Sequence, residues 1–216
     1  MQRRLLLGLL TAALFALPAP AEPPRNLYLV KQELRAYVDS GQYKREIADV
    51  ALRASKYLQK RIRHAKGKKL AVVFDVDETA LSNLPYLLAN DFGFVPGRWD
   101  EWLEQGRAPA LIPVQVVYDI AMSNKVAVFF ISARKEAQRA PTEHNLRDVG
   151  YESWTNIYFK AADDERKDRD YKIATRRQIA REGYQIVANL GDQDSDLAGG
   201  FAERTYKLPD PFYLAF

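Results

Sequence analysis

The sequence predicts an α/β protein built on a mostly parallel sheet with helices on both faces. Three observations carry that expectation. Short apolar runs rich in β-branched and aromatic residues, at 70–74, 125–131, 156–159, 185–190 and 204–208, alternate with longer segments of helical period. The strongest runs are apolar throughout, as strands covered on both faces are. Three of them stop on polar clusters: Asp75, Asp77 and Glu78; then Ser132 to Arg134; then Asp192 to Asp196. In a parallel sheet those ends share one edge, and ligands bind just beyond the carboxyl ends of the strands. Clusters far apart in sequence are therefore expected to converge.

Taken in order, residues 27–39 are expected to be helical, with Leu27, Val30, Leu34 and Val38 on one face. Ser40-Gly41 interrupts. A longer helix follows over 42–65, with Ile47, Val50, Ala51, Ala54, Leu58 and Ile62 as its apolar stripe and its lysines and arginines on the wet side. Gly67 takes the usual position past a helix end, and the first strand follows. Residues 80–112 contain Pro85, Pro96, Pro109 and three glycines, which does not suit one crossover helix. They are expected to form a small cap inserted after the first strand, since loops this long in a compact domain are usually functional. Helices are expected at 113–123, 141–149 and 171–182, with the charge run 162–170 as a solvated loop.

The 216 residues suffice for one sizeable core. Met1 to Ala21 combines Arg3 and Arg4, an apolar run and an Ala-Pro-Ala end, the pattern of a secretory signal peptide too short to span a bilayer. Its removal takes away two arginines and no acid, lowering the net charge from +4 to +2, so no nucleic-acid polymer is expected as a partner. There is no cysteine, hence no disulfide, no cysteine-based zinc site and no thiol to carry a stable lipid anchor. His64 and His144 are the only imidazoles and are expected to be solvated helix residues.

Asp75 and Asp77 are two apart on an extended segment and can face one pocket. Two carboxylates held together repel unless a cation or proton lies between them, and that repulsion is expected to raise the pKa of Asp77. Oxygen-only, carboxylate-rich sites suit Mg²⁺, which keeps several waters and meets substrate phosphates. A carboxylate nucleophile, a hydroxyl at Ser132 and a nearby lysine would together fit phosphoryl transfer.

The motifs FDVDET with LSN, FFISAR, YK opening a helix, and NLGDQDSDL resemble the four-motif set of the haloacid dehalogenase superfamily. WDEWLEQGRAPAL and YKIATRRQIAREGYQIVANLGDQDSDL resemble more narrowly its class B acid phosphatase subgroup, subfamily IIIB, with the plant vegetative storage proteins. The resemblance implies a Rossmann-like three-layer fold over 22–216, with the cap at about 80–112 and N-terminal helices. It implies Asp75 as nucleophile and Asp77 as acid and then base, both also at the metal, Asp77 through its carbonyl. Thr79 would steady the loop beside the substrate, Ser132 bind phosphate with Arg134 beside it, and Lys172 bridge nucleophile and phosphate. Asp192 would be a metal ligand and Asp196 an outer carboxylate. Lys160 and Lys167 compete with Lys172, and Asp194 with Asp196. Trp99 and Trp102 would either line the substrate mouth or pack the cap. The function implied is an exported, periplasmic or secreted, Mg²⁺-dependent acid phosphatase acting on small phosphomonoesters. The alternatives are a non-catalytic storage protein of the same fold and a phosphotransferase using the same site.

Overall fold

The computed structural model describes residues 23–215. The expected signal segment lies outside the described residues. Two helices, α1 (Leu27–Asp39) and α2 (Gln42–Arg63), lead into β1 (Lys69–Phe74). The insertion that follows holds α3 (Leu84–Ala89) and α4 (Pro96–Gln105), and α5 (Ile112–Ser123) then leads to β2 (Ala127–Lys135). After these come α6 (Arg139–Asp148), β3 (Asn156–Lys160), α7 (Asp168–Arg181), β4 (Tyr184–Gly191), the single turn α8 (Asp194–Leu197) and β5 (Thr205–Lys207).

The five strands form one parallel sheet in the order β3-β2-β1-β4-β5. The chain builds outward from β1 through β2 to β3, then returns to the other side of β1. The reversal falls between β1 and β4, the topological switch point at which such sheets bind ligands. Side chains alternate across the sheet as the two-residue period of a strand requires. Leu70, Val72 and Phe74 join Val128 and Phe130 in the larger core under α2, α5 and α6. Ala71 and Val73 join Phe129 and Ile131 in the smaller core under α7. Coverage of both faces is why these strands are apolar throughout.

Several elements differ from the sequence expectation for identifiable reasons. Leu27 is 65% exposed, and α1 meets the core only through Leu34, Tyr37 and Val38. Two prolines of the insertion open helices rather than break them: Pro85 and Pro96 each occupy a first turn, where no N–H is needed. The charge run is a loop only up to Lys167. Asp168 and Asp170 then form the first turn of α7, where the helix dipole favours acids. Strand β2 continues past Ser132 to Lys135.

Candidate active site

Beyond Phe74 the chain turns sharply, and Glu78 takes a left-handed backbone conformation (φ 49°) that a non-glycine residue adopts at a cost of about 1–3 kcal/mol. The turn places Asp75 and Asp77 on the wall of a cavity of about 540 Å³ at the carboxyl ends of β1 and β4. Lys172, in the first turns of α7, reaches across to the same floor. Its Nζ donates to Asp75 Oδ1 at 2.6 Å and to Asp196 Oδ1 at 2.5 Å, and all three side chains are buried. Carboxylate oxygens of Asp75, Asp192 and Asp196 all lie within 4.8 Å of one another. Lys160 pairs instead with Asp168, another residue of the cavity wall, and Asp194 is exposed and paired with Lys207.

This cluster crowds carboxyls out of water, so they hold their protons more tightly than usual. Burial, reinforced by the charge of Asp196, pushes the Asp75 carboxyl up to about 8, and Lys172 offsets only part of that. Burial and the neighbouring Asp75 and Asp196 raise Asp192 as well. Burial disfavours the ammonium of Lys172, yet the two carboxylates on it more than compensate and hold it charged. Three neighbouring buried carboxylates, two of them on one lysine, suit a hard divalent cation, an oxygen-only donor set of the kind such ions take.

A pH dependence follows. Asp75 and Glu78 are both raised in the folded protein, Glu78 to about 7 through burial and the adjacent Asp77. A carboxyl with a raised folded pKa adds stability below its unfolded pKa and loses it as pH rises through the folded value. In chelator, the melting temperature is therefore expected to fall between pH 6 and about pH 8 and to level off above it, because the unfolded chain has already released both protons while the folded protein keeps them until about 7 and about 8. A thermal denaturation series would check this, and a melting temperature that rises over that range would contradict it.

Asp77 departs from expectation. Burial would raise its carboxyl, but the Arg134 guanidinium and the Asn83 amide hold it below the ordinary carboxylate value. Arg134 Nη2 donates to Asp77 Oδ1 at 2.6 Å and Nε to Oδ2 at 3.0 Å, while Nη1 donates to Thr142. Arg134, expected beside the phosphate, is thus engaged with Asp77. Thr79 is fully buried and donates to Asp192 Oδ1 at 3.2 Å, so it braces one acidic loop against the other. Ser132 is also fully buried; its Oγ accepts the Arg134 N–H at 3.1 Å, which leaves its own proton to donate. Of the two tryptophans only Trp99 lines the cavity; Trp102 Nε1 donates to Asn83 Oδ1 at 2.8 Å.

Other residues of the site were given no role by the sequence. Arg176, 1% exposed, donates to the carbonyls of Asp196, Ala198 and Gly200 and so shapes the loop after β4. Gly191 is required there because a Cβ would run into the Asp196 side chain. Gln193 donates to Asp192 and to Asp210 of the C-terminal tail. Tyr213, in the same tail, donates to Glu78 Oε2 at 2.6 Å. An arginine at a helix interior could have flagged Arg176; the tail has no periodicity to read.

Against known proteins, the family model for the HAD superfamily, subfamily IIIB (acid phosphatase), matches residues 23–215. The chain is 36% identical over 186 residues to the stem 28 kDa glycoprotein of Glycine max, covering 83% of this chain and 72% of that one. It is 36% identical over 185 residues to acid phosphatase 1 of Solanum lycopersicum, with the same coverage. The class C acid phosphatase from Bacillus anthracis superposes with a TM-score of 0.71 at 25% identity, over 86% of each chain. No described helix is long and apolar enough to cross a membrane.

Proposed function

Because the chain belongs to subfamily IIIB of the HAD superfamily, the acid phosphatases, we propose that it hydrolyses small phosphomonoesters through a phosphoryl group carried on Asp75. The observation that supports this best is the buried Asp75–Lys172–Asp196 set beside Asp192 on the floor of an open cavity. An Asp75 oxygen attacks phosphorus, the bond to the ester oxygen breaks, and Asp77 gives that oxygen a proton. Asp77 then takes a proton from water, the water oxygen attacks phosphorus, and the bond to Asp75 breaks to release phosphate. Lys172 offsets the charge that Asp75 and the phosphoryl group bring together, and Ser132 has a proton to donate to a phosphoryl oxygen.

Since Arg134 keeps Asp77 ionised, the proton for the leaving oxygen comes with the ester. A phosphomonoester loses its second proton at about pH 6. Bound as its monoanion, it can pass that proton to Asp77, which accounts for an acidic optimum without a raised pKa on Asp77.

Asp75, Asp192 and the Asp77 carbonyl would hold Mg²⁺, with Asp196 behind them. When bound, the ion would keep Asp75 ionised and spread the negative charge of the transferring group. Residues 1–21 would act as an export signal, 22–216 as the phosphatase domain and 80–112 as its cap, which makes the protein periplasmic or secreted. The presence of Asp75 weighs against a storage role.

The test is hydrolysis of nucleotides, sugar phosphates and aryl phosphates with and without Mg²⁺. Chelation is expected to silence the enzyme and Mg²⁺ to restore it, while Asp192→Asn should need at least about tenfold more Mg²⁺ for half-maximal rate. Full turnover in excess chelator would refute the metal assignment, and no turnover on any ester the activity itself.

A further inference from the structure

Glu78 is fully buried, carries a left-handed backbone and points inward, so its carboxylate needs partners. It has three. Oε1 accepts the Asn83 N–H at 2.5 Å, and Oε2 accepts Asn83 Nδ2 at 3.0 Å and the Tyr213 hydroxyl at 2.6 Å. Asn83, 1% exposed, donates through the same Nδ2 to Asp77 Oδ1 at 2.8 Å. Its amide can face only one way. Trp102 Nε1–H is a donor alone and demands the Asn83 oxygen, which turns the amide nitrogen toward Glu78 and Asp77. A continuous hydrogen-bonded chain, buried at its centre, thus runs from the C-terminal tail through Glu78 and Asn83 to Asp77, with a branch to Trp102 of the insertion.

The tail is fastened independently of that chain. Phe212 stacks on Phe92 and meets Tyr43 edge-on, with ring centroids at 5.7 and 5.2 Å. Asp210 accepts from Gln193 Nε2 at 2.7 Å, and the Ala215 N–H donates to Gln193 Oε1 at 3.2 Å. Removing the Tyr213 hydroxyl therefore leaves the tail in place and cuts only its link to the acidic turn.

We propose that the C-terminal tail is a strap that positions Asp77 for proton transfer, with Tyr213 and Glu78 as positioning residues acting through Asn83. This rests on the phosphatase reading for the role of Asp77. Arg134 holds both oxygens of that carboxylate and Asn83 adds a second donor to Oδ1, so slack in Asn83 leaves the carboxylate on Arg134 alone and lets it swing away from the leaving oxygen. The loss is then selective. An ester whose leaving group must be protonated suffers, and one with a stabilised leaving group suffers less. A wall that merely shapes the pocket would instead weaken binding of both.

The test compares wild type with Tyr213→Phe on glycerol phosphate and 4-nitrophenyl phosphate, alongside exchange of the Asn83 amide hydrogen. A positioned acid contributes about 10²–10⁴-fold, so partial misplacement is expected to lower the glycerol-to-nitrophenyl ratio of kcat about tenfold, with KM moving less than about twofold. The Asn83 amide, protected by Glu78 in the wild type, should exchange faster in the variant. Glu78→Gln keeps an acceptor for Asn83 and should retain more of the ratio than Glu78→Ala. Equal loss on both esters, a change confined to KM, or a fallen ratio with Asn83 protection unchanged would each overturn the strap. A wild type that hydrolyses neither ester sinks the phosphatase reading instead, and the amide exchange still reports whether Tyr213 holds the turn.

Discussion

Asp75→Asn is expected to abolish turnover of every phosphomonoester while leaving the fold intact. The proposed mechanism places a covalent bond to phosphorus on this oxygen, and no neighbour can take its part: Asp192 is braced by Thr79 and Gln193, and Asp196 by Lys172 and the Gln193 N–H. Loss of a nucleophile of this kind lowers kcat by about 10⁵-fold or more. The amide is nearly isosteric and can still accept from Lys172 Nζ, 2.6 Å away in the wild type. It also removes from the cluster a titrating carboxyl that burial pushes up to about 8. The variant should therefore be at least as stable as wild type in chelator, and should lose the part of the alkaline decline in melting temperature that Asp75 causes. Acid quenching during turnover of a ³²P-labelled ester should trap a hydroxylamine-sensitive label on the wild type and none on Asp75→Asn. A variant that turns over at the wild-type rate, or a label that maps to another residue, would end the proposal.

Asp77→Asn should produce a smaller and more selective loss. A group that only moves protons is worth about 10²–10⁴-fold, and that loss should appear in full on alkyl phosphates. Nitrophenyl phosphate, whose leaving group needs no proton, should fall far less. The substitution also leaves Arg134, whose side chain is 4% exposed, without a charged partner. The Asn83 amide would meet another amide in place of a carboxylate. A stability cost of about 1–3 kcal/mol is expected, readable by urea denaturation. For the wild type, the rate should decline as pH rises above about 6, following the proton on the ester. Because Arg134 holds Asp77 below the ordinary carboxylate range, the rate should not follow a titration of Asp77 in the free protein. A uniform loss on both ester types would assign Asp77 to charge balance rather than proton transfer.

Much of this site was legible before any coordinates. A buried parallel strand must be apolar for its whole length, so the abrupt acids after Phe74 and the Gly-Asp pair after Leu190 announced strand ends, and strand ends in one sheet must meet. That logic alone brings Asp75, Asp77, Ser132 and Asp192 to one edge. The YK pair, read as a helix opening, favoured Lys172 over its competitors; the helix itself opens at Asp168, and the Lys172 ammonium lies between Asp75 and Asp196.

Side-chain partnership was a different matter, because it depends on which loops cross and not on local pattern. Nothing in the sequence says that Arg134 turns to Asp77, and that contact reverses the direction of its expected pKa shift. Trp99 and Trp102 sit three apart on one short helix, yet one faces the cavity and the other bonds Asn83. Tyr213 and Glu78 are 135 residues apart. The sequence by itself determined the sheet, its edge and the acids along it, because burial imposes a periodicity that can be read. The tertiary structure alone decided which of those acids carry protons and what braces them, because desolvation and hydrogen bonding depend on neighbours that the chain brings together only by folding.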